Sequence, residues 1–325
     1  MPHRFMGLIA DIGGTNARFA LCSDEGEILS PLTLLCRDFP SLELAVKAYL
    51  EKIEYRGSAI KRAAFAVACP VLGDRISMTN SDWSFSVSEV KSVLDLDSLD
   101  VVNDFVAQAL AVPLLKESEK LKIGQGEATK GFPIVVVGPG TGLGVSILVP
   151  QPDGQWIAVA SEGGHATMPA PYPEEERVIA ALRQEYGHVS AERVVSGMGL
   201  TNLYKTLLAL HGREGLSLEP QDISHRALKG DDLCREAVQM MFGLLGTLAG
   251  NLALTAGALG GVYIAGGIIP RDGLLEMFME SSFRVRFEAK GRFASYLSRI
   301  PTYVMISDYP AFLGLSGLVR KNVNK

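Results

Sequence analysis

Two stretches of this 325-residue chain put glycines where one strand turns back on another. In VVVGPGTGLGVSILV, Val135 to Val149, the residues Gly138, Gly140, Gly142 and Gly144 stand between β-branched runs. In LIADIGGTNARFALC, Gly13 and Gly14 precede Thr15 and Asn16. Glycine loses more freedom on folding than any other residue, so such density needs a reason. A plain hairpin asks for only one or two glycines with positive φ. Further glycines suit close approach of backbone to a ligand, and successive N–H groups can form an anion site. Two such hairpins facing each other could hold the phosphate chain of a nucleotide. Asp11, ahead of the first pair, could hold Mg²⁺ through water; read locally it is also an ordinary strand-end turn residue. Gly266 and Gly267, after VYIA, mark a strand-to-helix turn or a place where a planar group passes close to the backbone.

The better-known phosphate motifs do not fit. A Walker A loop needs a Gly-Lys pair, and the chain has none. The dinucleotide fingerprint is G-x-G-x-x-G opening a helix. Here the spacing is G-x-G-x-G-x-G, and a strand-like VSILV follows.

A second group is acidic. LDVVND ends a strand on Asn103 and Asp104, and ligands of open α/β sheets sit beyond such carboxyl ends. An apolar helix follows, so the local reading makes Asp104 a helix N-cap. SEGGHATMP carries Glu162 and His165, locally a solvated loop. With no second His or Cys nearby, His165 is a poor metal ligand. Glu192, in HVSAERVVSG, reads as a charge on the surface of a helix beginning at Ser190 or Ala191.

The elements that must position these groups alternate between strand and helix. After the first hairpin comes a helix near Ser41 to Tyr55 with Leu42, Ala45, Val46 and Tyr49 on one face. AAFAVACPV reads as a buried strand, VSEVKSVL as a short helix, and FVAQALAVP as a helix stopped at Pro113. A polar connection from about Glu117 to Pro133 is the candidate hinge. The second glycine hairpin then repeats the plan of the first, so two similar halves are expected: an α/β chain with duplicated βαβ cores. The expected domains are 1–114 with about 306–325, and 115–305, with a cleft between them.

No charge occurs between Glu236 and Arg271, and Gly246-x-x-x-Gly250 lies inside. The segment is a buried helix and a core strand rather than a membrane span, because Thr247, Asn251 and Thr255 interrupt it and Gly260-Gly261 breaks it. A net charge of -5 and a pI near 5.6 argue against a nucleic-acid partner. The four cysteines are far apart, which fits neither a zinc site nor a disulfide framework. The apolar run in MPHRFMGLIADIGG is too short for a signal peptide, so a cytoplasmic location is expected.

Taken together, ADIGGTNARFAL, VVNDFVAQALAVP, GPGTGLG, EGGH, ERVVSGMGLTNLY and GGVYIAGGI resemble the bacterial glucokinase family, in that family's order and from about Gly7 to Gly317. A lone DIGGT is shared by many sugar kinases and ATPases; the combination is more specific. GHATMPAPY has no cysteine, which sets the chain apart from the related group with a zinc motif at that place. The resemblance implies the two-domain actin-like ATPase (ribonuclease H-like) fold and phosphorylation of glucose at its 6-hydroxyl by ATP with Mg²⁺. It makes Asp104 the catalytic base, reversing the local reading, and Asn103, Asp104, Glu162, His165 and Glu192 the sugar ligands. The nucleotide would meet Ala10, Asp11, Ile12, Gly13, Gly14, Thr15, Asn16, Gly140, Thr141, Gly142, Gly266 and Gly267. A homodimer is expected from the family.

Other readings stay open on the sequence. Fructose, mannose or N-acetylmannosamine could replace glucose. A nucleotide-driven chaperone or filament protein would need a client domain or large insertions, for which 325 residues leave no room. A sugar-sensing regulator would carry a DNA-binding unit, and none is expected ahead of a first strand that begins near Met6.

Overall fold

A computed structural model of the chain describes residues 5–57, 59–78, 82–271 and 273–321. The first four residues of MPHRFMGLIADIGG fall outside them. The chain divides into two compact units, Met1–Leu115 with Ser307–Lys325, and Lys116–Ile306.

In the first unit, β1 (Phe5–Ile12), β2 (Asn16–Ser23) and β3 (Ile28–Leu35) form an antiparallel meander. Helix α1 (Leu42–Lys52) leads to β4 (Arg62–Val67), which lies parallel to β1. A ribbon of β5 (Arg75–Ser77) and β6 (Ser84–Ser86) and the short α2 (Val87–Val93) precede β7 (Ser98–Asn103), parallel to β4. The sheet order is β3-β2-β1-β4-β7, and α3 (Asp104–Ala111) leaves its carboxyl edge. Alternation along β1 separates two cores. Leu8, Ala10 and Ile12 join Phe65, Val46 and Tyr49 under α1, as the spacing of α1's apolar residues predicts. Ile9 faces the other way with Ala20, Ala64 and Ala66, beneath α3 and the last helix, Pro310–Lys321. The small side chains on that face let helices come close. At the crossing of the last helix with α3, a Cβ on Gly314 would overlap the carbonyl of Ala107.

The second unit repeats the plan. Strands β8 (Lys120–Ile123), β9 (Ile134–Pro139), β10 (Leu143–Pro150), β11 (Trp156–Ser161), β12 (Val262–Ile264) and β13 (Thr302–Met305) are ordered β11-β10-β9-β12-β13-β8. Again an antiparallel meander, β9 to β11, is followed by parallel β12 and β13. The duplication expected from the paired hairpins is thus a duplication of whole sheets. Strand β8 corrects one expectation. The polar stretch after Glu117 is not all connection, since Lys120–Ile123 pairs antiparallel with β13 at the sheet edge. Its lysines hid it, as charge on an edge strand commonly does.

Helices α4 (Pro173–Tyr186), α5 (Gly197–Leu210), α6 (Pro220–Leu228) and α7 (Asp232–Ala256) share one core with Val135, Val137, Val145 and Ile264. Helix α7 is long and apolar enough to cross a bilayer, yet 72% of its apolar window is buried inside the protein. Gly246 and Gly250 face α9 (Phe283–Glu288), which follows the short α8 (Leu274–Met279); a Cβ on Gly250 would lie 2.5 Å from the carbonyl of Phe287. The apparent membrane motif is a helix-packing seam. Gly257 ends α7 with a left-handed φ of 60°, the conformation that favours glycine.

Candidate active site

In the first unit, the row Ile12, Val67 and Asn103 runs across the carboxyl ends of three parallel strands. Asn103 is the N-cap of α3: its Oδ1 accepts the N–H of Phe105 at 2.9 Å, and its Nδ2 donates to the Cys69 carbonyl at 3.3 Å. This corrects the local reading of Asp104 as the cap. Asp104 is the first residue inside the helix, where its Oδ1 also accepts from the Phe105 N–H at 3.0 Å. The two side chains share the Phe105 N–H through one oxygen each, and the second carboxylate oxygen of Asp104 takes no part in that bond.

Two effects oppose each other at Asp104. Burial, then the negative charge of Asp11, raise its pKa from 3.8 to about 6; bonds from Phe105, its own N–H and Asn103 pull the other way and lose. Asp11 is raised too, by burial, with Arg18 working against it. The two meet because Asp11 and Arg18 are cross-strand partners of the β1–β2 hairpin, with Arg18 Nη1 donating to Asp11 Oδ2 at 3.1 Å. That register follows from the turn length in DIGGTNAR, and sequence reasoning missed it. Ala10 and Ile12 bury their side chains in the core, so only their backbone is left for a ligand.

The glycine tips follow the close-approach reading of the sequence rather than that of a plain hairpin turn. None of Gly13, Gly138, Gly140 and Gly142 has positive φ. Gly13 N–H bonds Asn16 O at 2.9 Å, and Gly140 N–H bonds Gly142 O at 2.8 Å. Among the described residues the N–H groups of Gly14, Thr15, Thr141 and Gly142 have no protein partner. Close approach explains the other glycines. A Cβ on Gly138 would lie 2.5 Å from the Ala265 carbonyl carbon, which seats the Gly266-Gly267 turn against the end of β9. Gly266 has a φ of 82°, so the turn needs glycine there. In the first unit Cys36 braces the tip: its N–H bonds Thr15 O at 2.9 Å and its Sγ bonds Gly13 O at 3.5 Å. No local signal marks Cys36 or the Cys69 carbonyl as supports.

The second unit gathers Glu162, His165 and Glu192. His165 Nε2 lies 3.8 Å from Glu162 Oε2 and its Nδ1 lies 3.9 Å from Glu192 Oε1. These separations exceed hydrogen-bond length, so the facing atoms keep their bonding capacity. Glu162 and His165 are more than half exposed, at 63% and 59%, whereas Glu192 is 22% exposed. Glu192 does not sit on an α-helix, contrary to the sequence reading. Residues Ala191–Arg193 form a single 3₁₀ turn, and α5 starts later, capped by Ser196, whose Oγ accepts Gly199 N–H at 2.9 Å. The Ser196 hydroxyl donates to Glu192 O at 2.8 Å, so the two turns close on each other.

A family model described as Glucokinase matches residues 8–322. A glucokinase of Paramagnetospirillum magneticum is 51% identical over 315 residues, 97% of each chain. One of Cronobacter sakazakii is 47% identical over 323 residues, 98% of each chain. Among solved structures, a glucokinase from an Antarctic psychrotroph superposes with a TM-score of 0.86 at 36% identity, covering 97% of this chain and 98% of that one.

Proposed function

The chain belongs to the glucokinase family, and from that premise we propose that it transfers the γ-phosphoryl group of ATP to the 6-hydroxyl of glucose, with Asp104 as the base. The observation that carries the assignment is the division of labour at the start of α3. Asn103 caps the helix and Asp104 keeps a carboxylate oxygen free.

A sugar hydroxyl is a weak nucleophile. Asp104 accepts its proton as the new P–O bond forms, the role that a catalytic Asp plays in other phosphoryl transfers. With a pKa raised to about 6, Asp104 is ionised at neutral pH yet more basic than an ordinary carboxylate. General base action contributes about 10²–10⁴ in rate, so positioning and charge neutralisation supply the larger share. Glu162, His165 and Glu192 select the sugar. Hexose epimers differ only in hydroxyl direction, and hydrogen bonds to charged groups, worth roughly 1.5–3 kcal/mol each, discriminate among them. The unpartnered N–H groups of Gly14, Thr15, Thr141 and Gly142 receive phosphate oxygens, and Gly266 and Gly267 let the base of the nucleotide pass close to backbone.

Mg²⁺ fits this donor set in one manner. Among the described residues no group of three or more His, Cys, Asp or Glu could hold a metal alone. Asp11 and Asp104 repel each other, and a cation bound mainly by water and phosphate, with Asp11 as outer partner, offsets that repulsion. Bound there, Mg²⁺ neutralises charge on the phosphate oxygens. A cytoplasmic homodimer completes the reading. The test is a coupled ADP-release assay over glucose, fructose, mannose and N-acetylmannosamine, with and without Mg²⁺. Turnover that depends on glucose and Mg²⁺ supports it; ATP hydrolysis indifferent to every sugar refutes it.

A further inference from the structure

Three segments of the second unit meet on the backbone of one residue, Leu143. Its N–H donates to Glu192 Oε2 at 2.8 Å. Its carbonyl lies so close to Gly164 that a Cβ there would overlap it. Leu143 itself begins β10 and pairs with Pro139 across the glycine tip. A Cβ on Gly142, one residue before it, would push against Glu192 Oε2 and displace the carboxylate. On the far side of the tip, Gly140 O accepts from Gly197 N–H at 2.9 Å, at the start of α5. The tip is therefore held at one end by the carboxylate of Glu192 and at the other by the first residue of α5. The Glu-Gly-Gly-His turn rests against its stem.

Glu192 divides its two oxygens between these tasks. Oε2 is spent on the hairpin amide, while Oε1 faces His165 without bonding it. We propose that Glu192 is a positioning residue for the phosphate-binding hairpin as well as a sugar ligand, so that sugar recognition and placement of the phosphate-binding amides are one mechanical unit. This rests on the functional reading above but adds a role toward the nucleotide that a sugar ligand alone would not have. A shift of Glu192 on sugar binding moves the Leu143 amide, and by linkage a nucleotide seated on the tip feeds back on the sugar with the same coupling factor.

The test measures binding of AMP-PNP, a non-hydrolysable ATP analogue, to the whole protein by calorimetry in the absence of any sugar. Glu192→Ala removes the acceptor of the Leu143 amide and is expected to weaken AMP-PNP by about tenfold, the effect of one lost hydrogen bond. Glu192→Gln retains an amide oxygen for that N–H and is expected to restore AMP-PNP affinity, while the KM for glucose stays raised. Gly164→Ala, which changes no group assigned to a ligand, is expected to weaken AMP-PNP similarly and serves if Glu192→Ala does not fold. Wild-type AMP-PNP affinity in either Glu192→Ala or Gly164→Ala, with the glucose KM raised, would overturn the clamp and leave the kinase reading intact. Absence of glucose-dependent turnover in the wild type would instead remove the kinase reading itself.

Discussion

Asn103 and Asp104 share one amide at the start of α3: the Phe105 N–H reaches Asn103 Oδ1 at 2.9 Å and Asp104 Oδ1 at 3.0 Å, so the side-chain amide of Asn103 relieves the carboxylate of capping alone. Asn103→Ala removes the cap and is expected to cost about 1 kcal/mol. Asn103→Ser keeps an oxygen able to cap and is expected to recover most of it. Denaturant unfolding reads both. With Asn103 gone the Phe105 N–H rests on Asp104 Oδ1 alone, so kcat is expected to fall with stability in the alanine variant and to return in the serine one.

The raised pKa of Asp104 has a sign that can be followed. In the folded protein it holds its proton up to about pH 6, whereas an exposed aspartate releases it near 3.8. Folding is therefore favoured in full below about pH 4, and the advantage is lost as pH rises through 6. At pH 7.5 the ionised, buried carboxylate costs up to about 3 kcal/mol. Asp104→Asn is expected to raise the unfolding midpoint at pH 7.5 and to show a shrinking gain toward pH 4.

As the proposed base, the same group is expected to set an acid limb on the rate. kcat/KM for glucose is expected to fall below about pH 6 as Asp104 takes up a proton. Asp11 contributes to that position by repulsion, so Asp11→Asn shifts the limb to lower pH. A pH–rate profile of both proteins checks the direction; a limb that stays in place would show that burial alone sets it.

Much of the fold could be read from the chain, for physical reasons that are specific to each element. Alternation in LIADI separates Leu8 and Ala10 from Ile9, and the structure buries them on opposite faces. The helical spacing of Leu42, Ala45, Val46 and Tyr49 holds as well. What escaped were features decided over one residue or by distant contacts. Asn and Asp cap helices equally well, so NDF does not say which of the two does. Ala191–Arg193 is a 3₁₀ turn because its bonds go to Ala166, Ser190 and Ser196, which local propensity does not contain. Close approach was legible in the glycines of the second hairpin, but the neighbours that make it, Ala265 and Glu192, lie far along the chain and could not be named from it.

A buried pair tests how the second unit holds the start of α4, the helix that follows the segment leaving His165. Arg286 grips Glu175 through two bonds of 2.7 and 2.9 Å, bonds Thr247 Oγ1 at 2.8 Å, and lies 4.1 Å over the Tyr172 ring. Removing either partner strands a buried charge, so Glu175→Leu or Arg286→Met alone is expected to cost about 3–5 kcal/mol. The double variant is expected to cost clearly less than the sum, measured as a double-mutant cycle by denaturant unfolding.

Packing behind α3 supports Asp104 from a distance. Gly314→Ala would drive a methyl group into the Ala107 carbonyl, and overpacking of this kind costs about 1–3 kcal/mol. Lower kcat with little change in the KM for ATP is expected if α3 shifts rather than the protein unfolding, and a thermal midpoint measured alongside separates the two.

The central claim is that Asp104 takes the proton of the sugar hydroxyl. Its most direct test is single-turnover ADP release from ATP and glucose by the wild type and by Asp104→Asn, with glucose binding measured separately by calorimetry. Loss of at least about 10²-fold in rate with glucose still bound is the predicted result. Turnover near the wild-type rate in Asp104→Asn would contradict the account.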